Sequence, residues 1–290
     1  MAETTLAKSQ EPRWTKVITA KKRLLDLHLR DVWDYRYLIK MFMKRDFIVT
    51  YKQTILGPLW YLIQPLVSSF MYMLVFGKMA NIGTDGIPYI LFYFSGTMLW
   101  AYFTSCLRSC SAVFEVNQGV FGKVYFPRLT SPVATCCFQV FKLVIQFVLF
   151  VAIFLYTFVI KKETLNITLW AFTFPLIVIW IGLLGGSLGL IISSLTTKYR
   201  DLKVLVEFGI QLAMYATPVV YPLSMIPEKF TWLVYANPMC VPVEFFRIAF
   251  FGAGNLTPSM IFTSLGITFV LTFFGLVLFT RNERSFVDVI

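Results

Sequence analysis

Residues 164–197 read TLNITLWAFTFPLIVIWIGLLGGSLGLIISSLTT, a run without one Asp, Glu, Lys or Arg. A helix needs about 20 apolar residues to cross the hydrocarbon of a bilayer, so this run holds one span, over 171–195. Four other windows are equally free of charge: 53–77, 86–107, 208–227 and 248–280. A further one, 129–160, is interrupted only by Lys142. Trimmed at their polar ends, the windows predict an all-α integral membrane protein of six spans, at 58–78, 88–108, 133–159, 171–195, 205–221 and 260–280. The stretch 230–243 is shorter and carries Pro238 and Pro242, which fits a re-entrant or interfacial segment. Only helices and closed barrels satisfy their backbone in lipid. The runs are continuous and do not alternate as barrel strands do, so helices are expected.

Composition agrees. Of 290 residues, 58% are hydrophobic and 14% charged, and the mean hydropathy is +0.71. Soluble domains carry about 25% charged residues, which excludes a soluble enzyme of this length. The net charge of +11 invites a nucleic-acid reading, but its placement does not. Twelve of the 26 Lys and Arg residues lie in 1–58. Arg108, Lys123 and Arg128 follow the second span, Lys198, Arg200 and Lys203 the fourth, and Arg281 and Arg284 the last. The opposite face receives Lys78, Lys161, Lys162, Lys229 and Arg247. The positive-inside rule then puts both termini in the cytoplasm, and no nucleic acid is called for. The first apolar run lies behind more than fifty mostly polar residues, so no signal peptide is read there.

From Asp31 to Lys52 the chain reads DVWDYRYLIKMFMKRDFIVTYK. Tyr35, Leu38, Ile39, Phe42 and Val49 share one helical face, and Arg36, Lys40 and Lys44 another. That pattern predicts a basic amphipathic helix in the interface, serving as topology anchor or as a docking surface for a partner subunit or lipid headgroup. Gly57-Pro58 turns the chain into the membrane. The expected organisation is a tail (1–32), the interfacial helix (33–56), a six-span membrane domain (57–285) and a short tail (286–290).

A phosphate-cradling loop needs G-x-x-x-x-G-K-[ST]. Gly77-Lys78 and Gly122-Lys123 have Tyr72 and Asn117 where the first glycine belongs, followed by Met79 and Val124. No catalytic residue, resident cofactor or metal is therefore expected in this chain. His28 is the single histidine, and the five cysteines form no CxxC pair, reading as small packing groups. Lys142 is the one charge deep in an apolar run, with Gln139 and Gln146 on its face. Either this stripe lines a substrate path, or Lys142 snorkels or pairs with a carboxylate such as Glu207 or Glu244. Gln211 shares a face with Glu207, and Tyr215 lies one turn on. Gly182, Gly185, Gly186 and Gly189 form overlapping GxxxG patterns that allow close helix contact, expected within the protomer. Pro222, Pro227, Pro238 and Pro242, then Glu244 and Arg247, predict a broken hairpin.

Several stretches together resemble the permeases of polysaccharide-exporting ABC transporters. They are Arg45-Asp46-Phe47 with Tyr51-Lys52-Gln53-Thr54-Ile55-Leu56-Gly57-Pro58-Leu59-Trp60 and Gln64-Pro65; Val124-Tyr125-Phe126-Pro127-Arg128; Lys198-Tyr199-Arg200-Asp201-Leu202; and Thr217-Pro218-Val219-Val220-Tyr221-Pro222 leading to Asn237-Pro238 and Phe246-Arg247. Their order covers about 33–285. The resemblance implies a homodimer in a bacterial inner membrane, with separate ATPase subunits that hold ATP and Mg, moving a polyprenyl-linked glycan outward. It implies coupling elements at Glu115, Lys123 and Arg128 and at Lys198, Tyr199, Arg200 and Asp201. Cation contacts to a lipid-pyrophosphate are expected from Arg36, Lys40, Arg45 and Lys52, with Lys123 and Arg128. Channel-lining candidates are Gln139, Lys142, Gln146, Gln211 and Tyr215; the re-entrant hairpin is marked by Pro222, Pro238, Glu244 and Arg247. Two other readings stand beside it: a drug or small-lipid exporter of the same fold, and a membrane glycosyltransferase, for which no carboxylate cluster is evident.

Overall fold

The structure is a computed structural model that describes residues 29–52, 57–121, 124, 126–159, 167–196 and 201–289. Among these residues every regular element is helical. Helices α1 (Leu29–Asp34) and α2 (Arg36–Tyr51) precede a 3-10 turn, Gly57–Leu59, which runs into α3 (Trp60–Tyr72) and a π-helical extension, Met73–Met79. Then come α4 (Tyr89–Ser111), the short α5 (Val113–Val116) and α6 (Gln118–Phe121), α7 (Thr130–Val159), and α8 (Phe174–Thr196) entered through a 3-10 turn, Leu169–Thr173. The chain ends with α9 (Leu202–Ala216), α10 (Thr231–Ala236), α11 (Cys240–Phe251) and α12 (Pro258–Val289).

Five helical stretches are long and apolar enough to cross a membrane: Gly57–Met79, Tyr89–Ser111, Thr130–Val159, Leu169–Thr196 and Pro258–Asn282. Their burial differs sharply. The apolar window of Tyr89–Ser111 is 83% buried and that of Gly57–Met79 only 11%, so α4 is the strut of the bundle and α3 its outermost member. Helix α8 packs along α4, α12 along the other side of α8, and α7 against α4.

The glycine pattern explains why α4 and α8 lie so close. A Cβ on Gly185 would stand 2.6 Å from the Phe103 carbonyl oxygen, and one on Gly189 would stand 2.5 Å from that of Leu107. Gly182 faces the Tyr102 hydroxyl and Gly186 the Cys136 sulfur. The glycines thus serve packing inside the protomer. Cysteines are the matching small groups: Cys106 and Cys110 are buried on α4, and Cys110 Sγ lies 3.4 Å from Cys136 Sγ on α7.

The expected fifth span, 205–221, is shorter than the sequence reading. Helix α9 has 15 residues, about 22 Å at 1.5 Å per residue, against about 30 Å of hydrocarbon. It stops because Pro218 drives the preceding residue out of the helical region; Thr217 is extended, at φ −102° and ψ 141°. The chain nevertheless traverses the bundle here. Lys203 and Glu207 contact α5 and the last turn of α4, whereas Ser224 donates to Asp85 Oδ1 at 2.7 Å, in the loop before α4. The chain between those two contacts is α9 followed by non-helical backbone at 217–222, then the 3-10 turn Leu223–Met225.

Helix α2 buries Phe42 and partly buries Tyr35, Leu38 and Ile39, as its periodicity implies, but Val49 is exposed. Past Phe42 the helix climbs along α7, where Phe47 meets Phe141 edge-on at 5.7 Å.

We expect Gly185→Val or Gly189→Val to force α4 and α8 apart at about 1–3 kcal/mol each, lowering the unfolding temperature of the purified protein. Gly209→Ala, where a Cβ meets nothing within 4 Å, leaves it unchanged or raises it.

Candidate functional site

Two clusters, one at each end of the bundle, carry the polar chemistry. The first lies where α4 ends and α7 begins. Its hub is Asn117, buried between α5 and α6. The Asn117 side-chain nitrogen donates to the Val113 carbonyl at 2.9 Å and to Ser131 Oγ at 2.8 Å. Its oxygen accepts from Arg45 Nη1 at 2.8 Å. Arg45 is held in turn by Asp46, Nε to Oδ1 at 3.0 Å and Nη2 to Oδ1 at 2.8 Å. One amide thus ties together α2, the α5–α6 segment and the first turn of α7. Aromatic packing does the same: Phe114 stacks on Phe279 of α12 at 4.8 Å, and Phe126 meets Phe42 at 5.7 Å and Phe121 at 5.6 Å.

Helix α9 is fastened to this end by charge. Arg108 grips Glu207 through Nε and Nη2, at 3.0 and 2.7 Å, and Lys203 Nζ donates to Glu115. All four side chains are about half exposed. Such pairs contribute about 0–1 kcal/mol, enough to set a position and weak enough to be exchanged. Few apolar contacts back them up: Ile210 is the one buried residue of α9, while Val204, Leu205, Phe208, Leu212 and Tyr215 are exposed.

The second cluster satisfies the non-helical backbone that follows α9. Non-helical backbone at membrane depth is tolerated only where protein or water satisfies it. Arg247, fully buried, donates from Nη2 to the Val219 carbonyl at 3.2 Å and from Nη1 to Glu244 Oε2 at 3.3 Å. Its guanidinium lies over the Phe92 ring at 3.7 Å. Glu244 Oε1 accepts from the Asn255 amide at 3.3 Å. Asn237 donates to Thr217 Oγ1 at 2.8 Å and caps the Met239 amide at 3.1 Å. Gly96 of α4 lets this backbone approach, since a Cβ there would stand 2.8 Å from the Val219 carbonyl.

The residues singled out from sequence are placed as follows. Arg36 and Lys40 are exposed beside the Tyr37 ring, and Lys52 is exposed. Arg45 is committed to Asp46 and Asn117. Glu115 pairs with Lys203, Arg128 lies over the Phe121 ring at 5.5 Å, and Asp201 is exposed at the start of α9. Lys123, Lys198, Tyr199 and Arg200 lie outside the described residues. Gln139 and Gln146 are buried in the protomer, donating to Ser109 Oγ at 2.8 Å and to the Tyr61 carbonyl at 3.1 Å. Gln211 and Tyr215 are exposed on α9, away from them. Lys142 pairs with neither Glu207 nor Glu244, which are taken by Arg108 and Arg247; it sits against the Tyr61 and Phe138 rings. In the hairpin, Pro222 is buried and the Pro238 carbonyl accepts from Ser264 Oγ at 2.7 Å.

Sequence reading missed Asn117, Ser131 and the exposed stripe of Trp33 on α1 with Tyr37 and Met41 on α2. The i, i+4, i+8 spacing of that stripe was visible beside Arg36, Lys40 and Lys44. The Asn117 contacts, across 72 residues to Arg45, left no local signal.

The ABC-2 type transporter family matches residues 37–251. The chain is 27% identical over 253 residues to an O-antigen export system permease protein RfbA of Klebsiella pneumoniae, covering 87% of this chain and 95% of that protein. A Myxococcus xanthus protein of the same name is 25% identical, over 77% of this chain and 84% of its own length. The polysialic acid transport protein KpsM of Escherichia coli is 22% identical, over 79% and 87%.

Removing one member of the buried Glu244–Arg247 pair leaves the other charged and alone. We expect Arg247→Met to destabilise by about 3–5 kcal/mol, and Glu244→Gln combined with Arg247→Met by less than the single change. Thermal unfolding of the purified variants measures both.

Proposed function

The chain belongs to the ABC-2 type transporter family, and from that premise we propose that it is the membrane permease subunit of an ATP-driven exporter of lipid-linked polysaccharide. The observation that carries this reading is the near full-length similarity to proteins named for O-antigen export. In this reading ATP and Mg are held by a separate subunit, and the glycan leaves the cytoplasm across a bacterial inner membrane.

The physical demands of that substrate fit the geometry. A hydrophilic glycan cannot pass through hydrocarbon, so it needs an enclosed path. Helices α3 and α9 both present outward apolar faces, through Val67, Phe70 and Met71 and through Val204, Phe208 and Leu212, and two copies of the chain brought together along them would enclose one, with Gln211 and Tyr215 toward the lumen. Helix α9 with the mended loop after it then counts as the sixth span and puts both termini on the cytoplasmic side. The α10–α11 hairpin becomes the re-entrant element of the outer leaflet.

At the cytoplasmic end, the ATPase docks on the α1–α2 stripe of Trp33, Tyr37 and Met41 and on the segments around Glu115 and Asp201. Its motion is passed on as rigid-body displacement, through Asn117 to α7 and through the two exchangeable ion pairs to α9. Arg36, Lys40 and Lys52, with Lys123 and Arg128, meet the anionic lipid head. Arg45 acts by positioning α2.

The test is surface glycan in a strain whose own copy is replaced by variants. We expect Asp201→Ala to lose surface glycan with the protein still assembled in the membrane. Glu115→Lys and Lys203→Glu each reduce it, and the charge-swapped double variant recovers part of it. Normal surface glycan in the deletion strain, with loss of a small lipid or a drug from the medium, would overturn the reading.

A further inference from the structure

Four Lys and Arg residues fall within the spanning stretches: Lys78, Arg108, Lys142 and Arg281. Three of them lie in the last turn of their spans, where a cation reaches the interface at little cost. Lys142 does not; it stands twelve residues inside α7, which begins at Thr130.

Its surroundings are unusual for a charge. The ammonium lies 4.8 Å from the Tyr61 ring centroid and 4.7 Å from that of Phe138. Among the described residues no carboxylate forms an ion pair with it; the acids within the bundle are taken by Arg108, Lys203 and Arg247. Two ring faces attract a cation by about 0.5–2 kcal/mol, but they do not neutralise it. A half-buried ammonium beside hydrocarbon still calls for an anion.

The level of Lys142 says which anion. Helix α7 has 30 residues, about 45 Å, so it exceeds the hydrocarbon thickness by about 15 Å. The excess lies at its start, alongside α2: Phe47 meets Phe141, and Tyr51 meets Tyr61 edge-on at 5.9 Å. Tyr51, Trp60 and Tyr61 form a local aromatic belt of the kind that marks the headgroup level. Lys142 is thus at the height where the chain leaves α2 and α3 enters the bilayer. The abundant anion at that height is the phosphate of an amphiphile. One and two turns further along α7, on the same face, Ile145 and Leu149 are part-exposed and offer an apolar track for its chain.

The geometry points to Lys142, framed by Tyr61 and Phe138 at the α2–α3–α7 junction, as a binding site for the phosphate head of a lipid. This requires only that the chain resides in a membrane, and it holds whether the cargo is a glycan or not. The phosphate has two sources, a bilayer phospholipid or the phosphorylated end of a polyprenyl carrier.

The test uses the purified full-length chain in neutral detergent, titrated with dioleoylphosphatidylglycerol in one arm and farnesyl pyrophosphate in the other, with bound lipid counted by native mass spectrometry. The wild type and Lys142→Arg retain one tightly held molecule. Lys142→Gln and Lys142→Met weaken it about tenfold, while Lys78→Gln, also a lysine in a span, leaves it unchanged. Lys142 dependence with phosphatidylglycerol alone assigns the site to bilayer lipid; dependence with farnesyl pyrophosphate alone assigns it to a polyprenyl carrier. Equal binding by the wild type and both neutral variants in both arms overturns the proposal. So does an equal loss in Lys78→Gln, which would show unspecific charge attraction.

Discussion

The close backbone approach of α4 and α8 governs everything else in this bundle. Water cannot drive helices together in lipid, so contact rests on packing and on small residues that let backbones meet. Gly185 and Gly189 supply that contact against Phe103 and Leu107. With α8 seated there, α4 becomes the buried strut. Helix α12 then closes on the far side of α8, where a Cβ on Gly275 would stand 2.8 Å from the Ser187 carbonyl. What remains outside the strut, α3 and α9, is held by fewer and weaker contacts.

That division of rigidity gives the molecule its working parts. At one end of α4 the Arg247–Glu244 pair and Asn237 satisfy the broken backbone at 216–219. At the other, Asn117 binds three elements with neutral hydrogen bonds and one arginine. Between them α9 is clamped by two half-exposed ion pairs whose small net energies permit exchange. A force applied at the α5–α6 segment therefore meets a stiff path into α7 and α4 and a soft one into α9. In the proposed exporter, α9 is the wall that moves.

Much of this was legible in the sequence, for physical reasons specific to each element. Uninterrupted apolar runs reveal long helices because hydrocarbon admits nothing else, and the glycine spacing revealed a close contact. Pro218 already held the information that ended α9 early, because a residue before proline avoids the helical region; counting uncharged residues alone obscured it. The Lys142 stripe was read as one surface, but its glutamines turn into the protomer toward Ser109 and Tyr61. Periodicity gives a face of a helix and not what lies across from it. The same limit hid Arg108–Glu207, whose partners stand 99 residues apart.

The most direct test of the central claim is transport by inverted membrane vesicles, whose cytoplasmic face is outward. The vesicles carry this chain and a P-loop ATPase, and lipid-linked glycan is supplied on the outside. Protection of the glycan from an added glycosidase is followed over time. The account predicts protection that needs ATP, the ATPase and this chain together. Protection that proceeds equally without this chain, or without ATP, would contradict it.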